Sequence, residues 1–298
     1  MTLGILFGLI AALGWGGADF LARGATNALG AFRTAFYMQL VGLVSLSLWV
    51  LLSGDLGALT TRGSAATIAW ASAIGVLNAI TTVAAYRAFE VGLLAVVAPI
   101  CATYPAIAVV LAALSGEQLT ASRALGILGT MAGVALVAIG PSSHDEGESR
   151  DAAALSAPRR LGRGVAWALC TTLTQGLTIW VVGFRLIPEI GSVPTVWVMR
   201  VATFSVLLAA ALLGRRSIRP PSGRAARLVL MMGLLDACAY AALTVGLGVE
   251  QVSVVGVLGS LYGAVTGLLG FAFLRERLSR LQWSGFVVVC GGVVLLAR

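Results

Sequence analysis

Asp19, Arg200 and Asp236 are charged residues that lie well inside apolar stretches of this 298-residue chain. A charge at the centre of a membrane helix costs about 2.5–3.5 kcal/mol on insertion scales, so such residues are the first candidates for chemistry. A carboxylate in that setting can hold a substrate ammonium or a proton, and a guanidinium can hold a substrate carboxylate through its five donors. Each also has a structural alternative. Asp236, the deepest acid, either carries substrate charge or a coupling proton, or pairs with Arg200. Arg200 either binds substrate or neutralises Asp236. Asp19 lies one turn after Trp15 and one turn before Arg23, so an i,i+4 pair at a helix end competes with a cavity role.

Uncharged candidates stand beside them. Tyr104 and Tyr262 sit partway along apolar segments, each next to a Pro or Gly that loosens the backbone, which suits a cavity wall; the alternative is an interfacial anchor. Asn78, Trp15, Gln175 and Trp180 can line a cavity, or equally pack or hydrogen-bond between helices. Glu117 and Glu276 fall in turns beside arginines and read as helix-end partners. Gly4 and Gly8, Gly129 and Gly133, and Gly263 and Gly267 have the GxxxG spacing that lets helices approach closely.

Enzyme chemistry finds little support. His144 is the single histidine and lies in the most polar loop; Cys101, Cys170, Cys238 and Cys290 show no metal-ligand spacing. No phosphate-binding, serine-hydrolase or zinc-protease motif is present. The chain is therefore not expected to be an enzyme, and no cofactor or metal is expected.

The elements that must position these residues follow from composition. Hydrophobic residues make up 59% of the chain and charged ones 11%, with mean hydropathy +0.97; a soluble domain carries about 25% charged residues. Net charge is +8, and the cations are all arginines that sit mostly between apolar spans, which fits lipid headgroups rather than nucleic acid. Charge-poor windows predict transmembrane helices over 3–21, 31–52, 65–89, 91–114 and 124–140, then 164–186, 190–213, 228–249, 251–274 and 281–297. The first window lacks the basic start of a signal peptide and reads as a retained span. Between the two sets lies a segment rich in Ser, Pro, Gly and both charges, so the expected division is 1–140, a polar linker 141–163, and 164–298.

The halves repeat. Residues 95–119 align on 253–278, matching Val96-Val97 with Val254-Val255 and Tyr104 with Tyr262, and Gly75–Asn78 falls on Gly233–Asp236. Five spans per unit is an odd number, so the second unit must enter the membrane in the opposite sense. Inverted repeats of this kind place a substrate site near the midplane of secondary transporters.

LGWGGADF (13–20), GEQLT (116–120) and RERLS (275–279), in that order and with that duplication, resemble the EamA-type repeat of the drug/metabolite transporter superfamily. The resemblance implies an all-α integral membrane fold of ten transmembrane helices in two inverted five-helix repeats. It also implies transport of small metabolites without ATP hydrolysis. Tyr104-Pro105 fits the helix-breaking proline of the first repeat, whereas Tyr262-Gly263 makes a break in helix nine less expected. The expected protein is a multi-pass transporter of a cell membrane, such as a bacterial inner membrane. It would export a small amphipathic metabolite such as an amino acid by alternating access; the alternative is a proton-coupled multidrug cation exporter. Its partners would be that substrate, membrane lipids and a coupling proton, as monomer or homodimer. Loops after the odd-numbered helices hold 15 arginines against 4 in the other loops and tails, which places the former in the cytoplasm and both termini outside. The resemblance more often implies cytoplasmic termini.

Overall fold

Helix α1 (Leu3–Leu29) begins where Thr2 turns extended and its hydroxyl accepts a hydrogen bond from the Ile5 amide, which satisfies one of the free donors of a helix start. In this computed structural model, residues 2–53, 57, 61, 63–91, 100–101, 103–139, 150–216, 218–274 and 279–297 are described. Helices α2 (Ala31–Ser53), α3 (Ala65–Val91), α4 (Tyr104–Leu114) and α5 (Ala121–Ile139) follow. Next come α6 (Arg150–Val181), a π-helical turn (Val182–Leu186), α7 (Ile187–Ile190) and α8 (Ser192–Leu213). The chain closes with α9 (Gly223–Val249), α10 (Val252–Gly259), α11 (Tyr262–Leu274) and α12 (Arg280–Leu296). Among the described residues there is no strand.

Among the described residues, seven helical segments are long and apolar enough to cross a membrane, and Tyr104–Leu114, Ala121–Val137 and Arg280–Leu296 are shorter apolar helices. Two details differ from the sequence reading. The backbone of 150–163, expected as linker, continues α6 toward its start; the rest of that segment, 141–149, lies outside the described residues, as does most of the early part of the fourth predicted span. Helix nine, where a break was less expected, is interrupted at Ser260-Leu261, just before Tyr262. Thr103 makes the equivalent interruption before Tyr104. Both turns satisfy their own backbone, since Thr103 Oγ1 donates to the Ile100 carbonyl and Ser260 Oγ to that of Val257. A proline is thus not needed for the break.

The packing of the two halves matches pair by pair. Helix α1 lies against α9, as α6 lies against α3; α2 lies against α9, as α8 lies against α3; α1 packs on α10 and α11, as α6 packs on α4. Glycines make these approaches. A Cβ on Gly16 would meet the Tyr262 carbonyl at 2.9 Å, and one on Gly176 would meet that of Tyr104 at 2.7 Å. Gly75 lies on the Met199 carbonyl, and Gly233 on the Met38 carbonyl. The turn after α1 also recurs: Gly30 (φ 79°) and Gly191 (φ 84°) take the same left-handed-side conformation, which side chains with a Cβ adopt only under strain.

Helices α5 and α12 cross through glycines as well. Gly126 meets Gly292 and Gly133 meets Gly285. As residue number rises along α5 it falls along α12, so these two helices run antiparallel. Close contact of small residues is what holds helices where lipid removes the hydrophobic drive between them.

Candidate functional site

Thr2, Gly4, Arg123 and Glu250 come together at one end of the bundle, the near end. At the far end, Tyr37 donates to the Ile218 carbonyl and Arg33 to that of Arg219. Between them lies a cavity of about 250 Å³ lined from several helices: Trp15 and Asp19 on α1, Met38 and Gln39 on α2, Asn78, Thr81, Thr82 and Ala85 on α3. Thr171 and Gln175 on α6, Asp236 and Tyr240 on α9, and Cys101, Tyr104 and Tyr262 complete it. Ala85, Cys101 and Thr171 draw the cavity toward the far end. Toward the near end a cluster containing Ile74, Leu186, Leu247, Val252 and Val255 fills the space.

Asp236 is held on two sides. Its Oδ2 lies 2.7 Å from Arg200 Nη2, with side-chain exposures of 8% and 3%; the contact is close as an ion pair but not aligned as a hydrogen bond. Trp15 Nε1 donates to Asp236 Oδ1 at 3.1 Å. Arg200 in turn donates to Gln39 Oε1 and lies over the Tyr240 ring at 4.9 Å. Tyr240 donates to Asn78 Oδ1 at 2.8 Å, and the Asn78 amide donates to Thr203 Oγ1 at 3.3 Å. Thr203 donates onward to the Gly75 carbonyl. One polar chain therefore ties α1, α2, α3, α8 and α9 together in the middle of the bundle, where each pair gains from the low dielectric and each broken pair would be costly.

Asp19 is different. It is exposed and faces the same cavity, yet it has no hydrogen-bond or ion-pair partner among the described residues. The side chain of Arg23, its expected helix partner, lies outside the described residues. Among the described residues Asp19 is therefore the carboxylate without a partner at the cavity.

The expected site residues thus divide. Asp19, Asp236, Asn78, Trp15, Gln175, Tyr104 and Tyr262 meet at the cavity. Arg200 stands behind the lining and touches it through Asp236 and Gln39. Trp180 lies apart, donating to Ser115 at 2.8 Å beside a separate groove. Sequence reasoning missed Gln39, Tyr240, Thr81, Thr82 and Thr171. Gln39 had a signal: Met38-Gln39 and Met199-Arg200 are matching dipeptides in matching helices. Tyr240 is four residues, one helical turn, after Asp236, on the same face.

The aromatic side chains form a partial wall. Trp15 meets Tyr240 edge-on at 5.0 Å and Tyr262 edge-on at 6.3 Å between centroids. Such a set presents ring faces to a ligand while the polar tips of Trp15 and Tyr240 stay hydrogen-bonded to Asp236 and Asn78.

Comparison with known proteins places this architecture. No curated protein matches the sequence. A solved structure titled only "Crystal structure of protein" has TM-score 0.79 with this chain at 18% identity, covering 98% of this chain and 94% of the other; at that identity the likeness concerns the fold alone. The profile of the EamA-like transporter family matches residues 2–139 and again 162–298. Together with seven spanning-length apolar helices, this makes the protein a multi-pass membrane protein built of two repeats, with a small-molecule substrate and lipid as its surroundings. The chain belongs to the EamA-like transporter family, within the drug/metabolite transporter superfamily.

Proposed function

We propose that the protein is a secondary transporter that exports a small amphipathic metabolite bearing an ammonium group, such as an amino acid, by alternating access. The observation that carries this reading is Asp19, a carboxylate without a partner among the described residues, facing a cavity walled by Trp15, Tyr104, Tyr240 and Tyr262. A carboxylate with ring faces around it suits a substrate ammonium, through charge and through cation–π attraction. Gln175 supplies a neutral donor for a second polar end of the ligand, while the Thr81 and Thr82 hydroxyls, which already donate to the Leu77 and Asn78 carbonyls, present acceptor oxygens.

Size supports one substrate class over the other. About 250 Å³ falls below the roughly 300–1,000 Å³ of drug-sized sites, which favours a small metabolite over a bulky drug. One observation favours the second reading, a proton-coupled exporter of organic cations: among the described lining residues there are two acids and no base.

Ten spans in two inverted repeats are part of this proposal. The antiparallel course of α5 and α12, which hold the same place in the two repeats, supports the inversion, and the three short apolar helices supply the remaining spans. The cavity extends toward the end that carries most of the arginines, which the positive-inside rule puts in the cytoplasm. That fits loading from inside the cell, in a bacterial inner membrane.

The test is transport by purified protein in liposomes. An aromatic amino acid, the amine lacking its carboxylate, and a bulky lipophilic cation would each be offered with and without a pH gradient. Uptake of the first two but not the third is expected. Transport of the bulky cation alone would favour the second reading, and transport of anions alone would overturn both.

A further inference from the structure

Outside the central cavity, Trp70, Trp180, Val181, Phe184, Arg185, Pro188 and Glu189 line a second groove of about 420 Å³ near the end of α6. We propose that this groove binds one zwitterionic glycerophospholipid with a primary-ammonium headgroup, the phosphate at Arg185, the ammonium at Glu189 and the acyl chains along the aromatic floor.

The charges are spaced for such a headgroup. Arg185 Nε and Glu189 Oε1 are 3.9 Å apart, with side-chain exposures of 50% and 38%. That separation is too long for a hydrogen bond. Arg185 donates no hydrogen bond among the described residues; its guanidinium lies over the Trp70 ring at 5.1 Å. Glu189 is fixed at its other oxygen, Oε2, by the Thr67 hydroxyl. A cation and a carboxylate oxygen that pair only loosely with each other are thus held side by side, each oriented from behind. A phosphate oxygen and an ammonium on one ligand satisfy both, whereas an anionic headgroup would meet Glu189 as a like charge.

The depth is also right. Glu189 lies one residue before the end of α7, and Trp70 and Thr67 lie in the first two turns of α3. Both stretches are ends of spanning helices, where headgroups sit and where tryptophan is enriched. The π-helical turn Val182–Leu186 adds an extra residue per turn between Trp180 and Arg185, and such turns often mark functional sites.

Packing does not require these residues. The equivalent helix of the first repeat, with Gly16 matched to Gly176 before the π-helical turn and Gly30 to Gly191 after it, carries Phe20, Gly24 and Ala28 where α6 and its continuation carry Trp180, Arg185 and Glu189. The same helix in the same place forms without an aromatic floor or an ion pair. Something other than the repeat fold accounts for their presence in the second copy.

Native mass spectrometry of the purified protein, with phosphatidylethanolamine and phosphatidylglycerol of equal chain length in competition, tests this. The wild type should retain phosphatidylethanolamine at least about fivefold over phosphatidylglycerol. R185Q should lose retention of both, and E189Q should shift the preference toward phosphatidylglycerol. Chain-free glycerophosphoethanolamine should fail to displace the lipid. Equal retention of the two lipids by the wild type overturns the proposal whatever the variants do. So does displacement by the chain-free headgroup, which would make the groove a site for a soluble zwitterion.

Discussion

Gln39 and Arg200 stand at the same place in the two repeats and hold each other, the guanidinium donating to the amide oxygen across the contact of α2 with α8. Asn78 and Asp236 are a second equivalent pair, one helix further on. The first repeat thus contributes two neutral amides to the centre, and the second contributes a cation and an anion. At these four positions the symmetric scaffold therefore carries its charge on the second repeat alone.

Removing one partner of the Arg200–Asp236 pair should expose its cost. Arg200→Gln leaves a buried carboxylate with only Trp15 as donor, and breaking a buried pair costs about 3–5 kcal/mol. Thermal unfolding in detergent should show a large loss for Arg200→Gln. The double variant Arg200→Gln, Asp236→Asn should recover most of it. If the double variant is no more stable than the single one, the pair is not what holds α8 to α9.

The two acids should then separate in function. Asp19→Asn is expected to remain folded, because Asp19 has no partner to lose among the described residues, while apparent affinity for an amine substrate falls at least about tenfold. Asp236→Asn should lose thermal stability more than affinity. From the sequence alone the opposite ranking is expected, with Asp236 carrying the substrate or coupling charge and Asp19 dispensable. A stable Asp236→Asn with lost binding, beside a normal Asp19→Asn, would restore that ranking.

Glycine substitutions reach the tyrosines from behind. A methyl group on Gly16 would press on the Tyr262 carbonyl and Val265, and one on Gly176 on the Tyr104 carbonyl and Ile107. Backbone cannot swing aside as a side-chain tip can, so each Ala variant should cost about 1–3 kcal/mol. Each should also raise the substrate concentration for half-maximal transport, because the shifted turn carries a cavity tyrosine. Gly263→Ala, where a Cβ meets open space, is the control and should leave both readings unchanged.

Much of this was legible in the sequence, for identifiable reasons. The apolar windows mark spans because lipid tolerates few charges, and the Tyr104/Tyr262 match survives because both residues face the cavity wall. At Asp19 the arginine at helical spacing, Arg23, offers a competing role, and only the fold shows that α1 turns Asp19 toward the cavity. The break before Tyr262 was hidden because a serine hydroxyl and local carbonyl bonds make it, with no proline to announce it. Gln39 was passed over because an uncharged amide carries no cost signal on its own, although its repeat partner does.

At the near end, Arg123 Nη1 bridges Glu250 Oε1 at 2.9 Å and Gln251 Oε1 at 2.6 Å, Thr2 donates to Glu250, and Glu117 accepts the Val252 and Ser253 amides. These contacts join the two repeats across the closed end. Burial works against the charge on Glu250, but the bonds from Thr2, the Gln251 amide and Arg123 outweigh it and hold its carboxyl below the ordinary 4.5. A lowered value means that the contribution of the charge is present above the ordinary value and is lost as pH falls through the lowered one. Glu250→Gln at neutral pH should therefore mimic acid. In a cysteine-free background, a cysteine at Ser253 should become more reactive to a soluble thiol reagent in Glu250→Gln than in Glu250-containing protein, both compared at neutral pH where their thiolate fractions can be matched. Unchanged reactivity would show that this cluster does not close the near end.

Orientation ties these ends to the cell. The far-end loops hold most of the arginines, so they are expected in the cytoplasm, with Thr2, Arg123 and Glu250 facing outside. The cavity then draws from the cytoplasm and the Arg123–Glu250 cluster closes the outer side, as an exporter in its loading state requires. Single cysteines at Ser222, the residue before α9, and at Thr120, just before α5, lie at opposite ends of the bundle. An impermeant thiol reagent applied to intact cells should modify Thr120→Cys and spare Ser222→Cys until the membrane is opened. The reverse pattern would put both termini in the cytoplasm, make the cavity face outward, and leave the cluster closing the inner side instead.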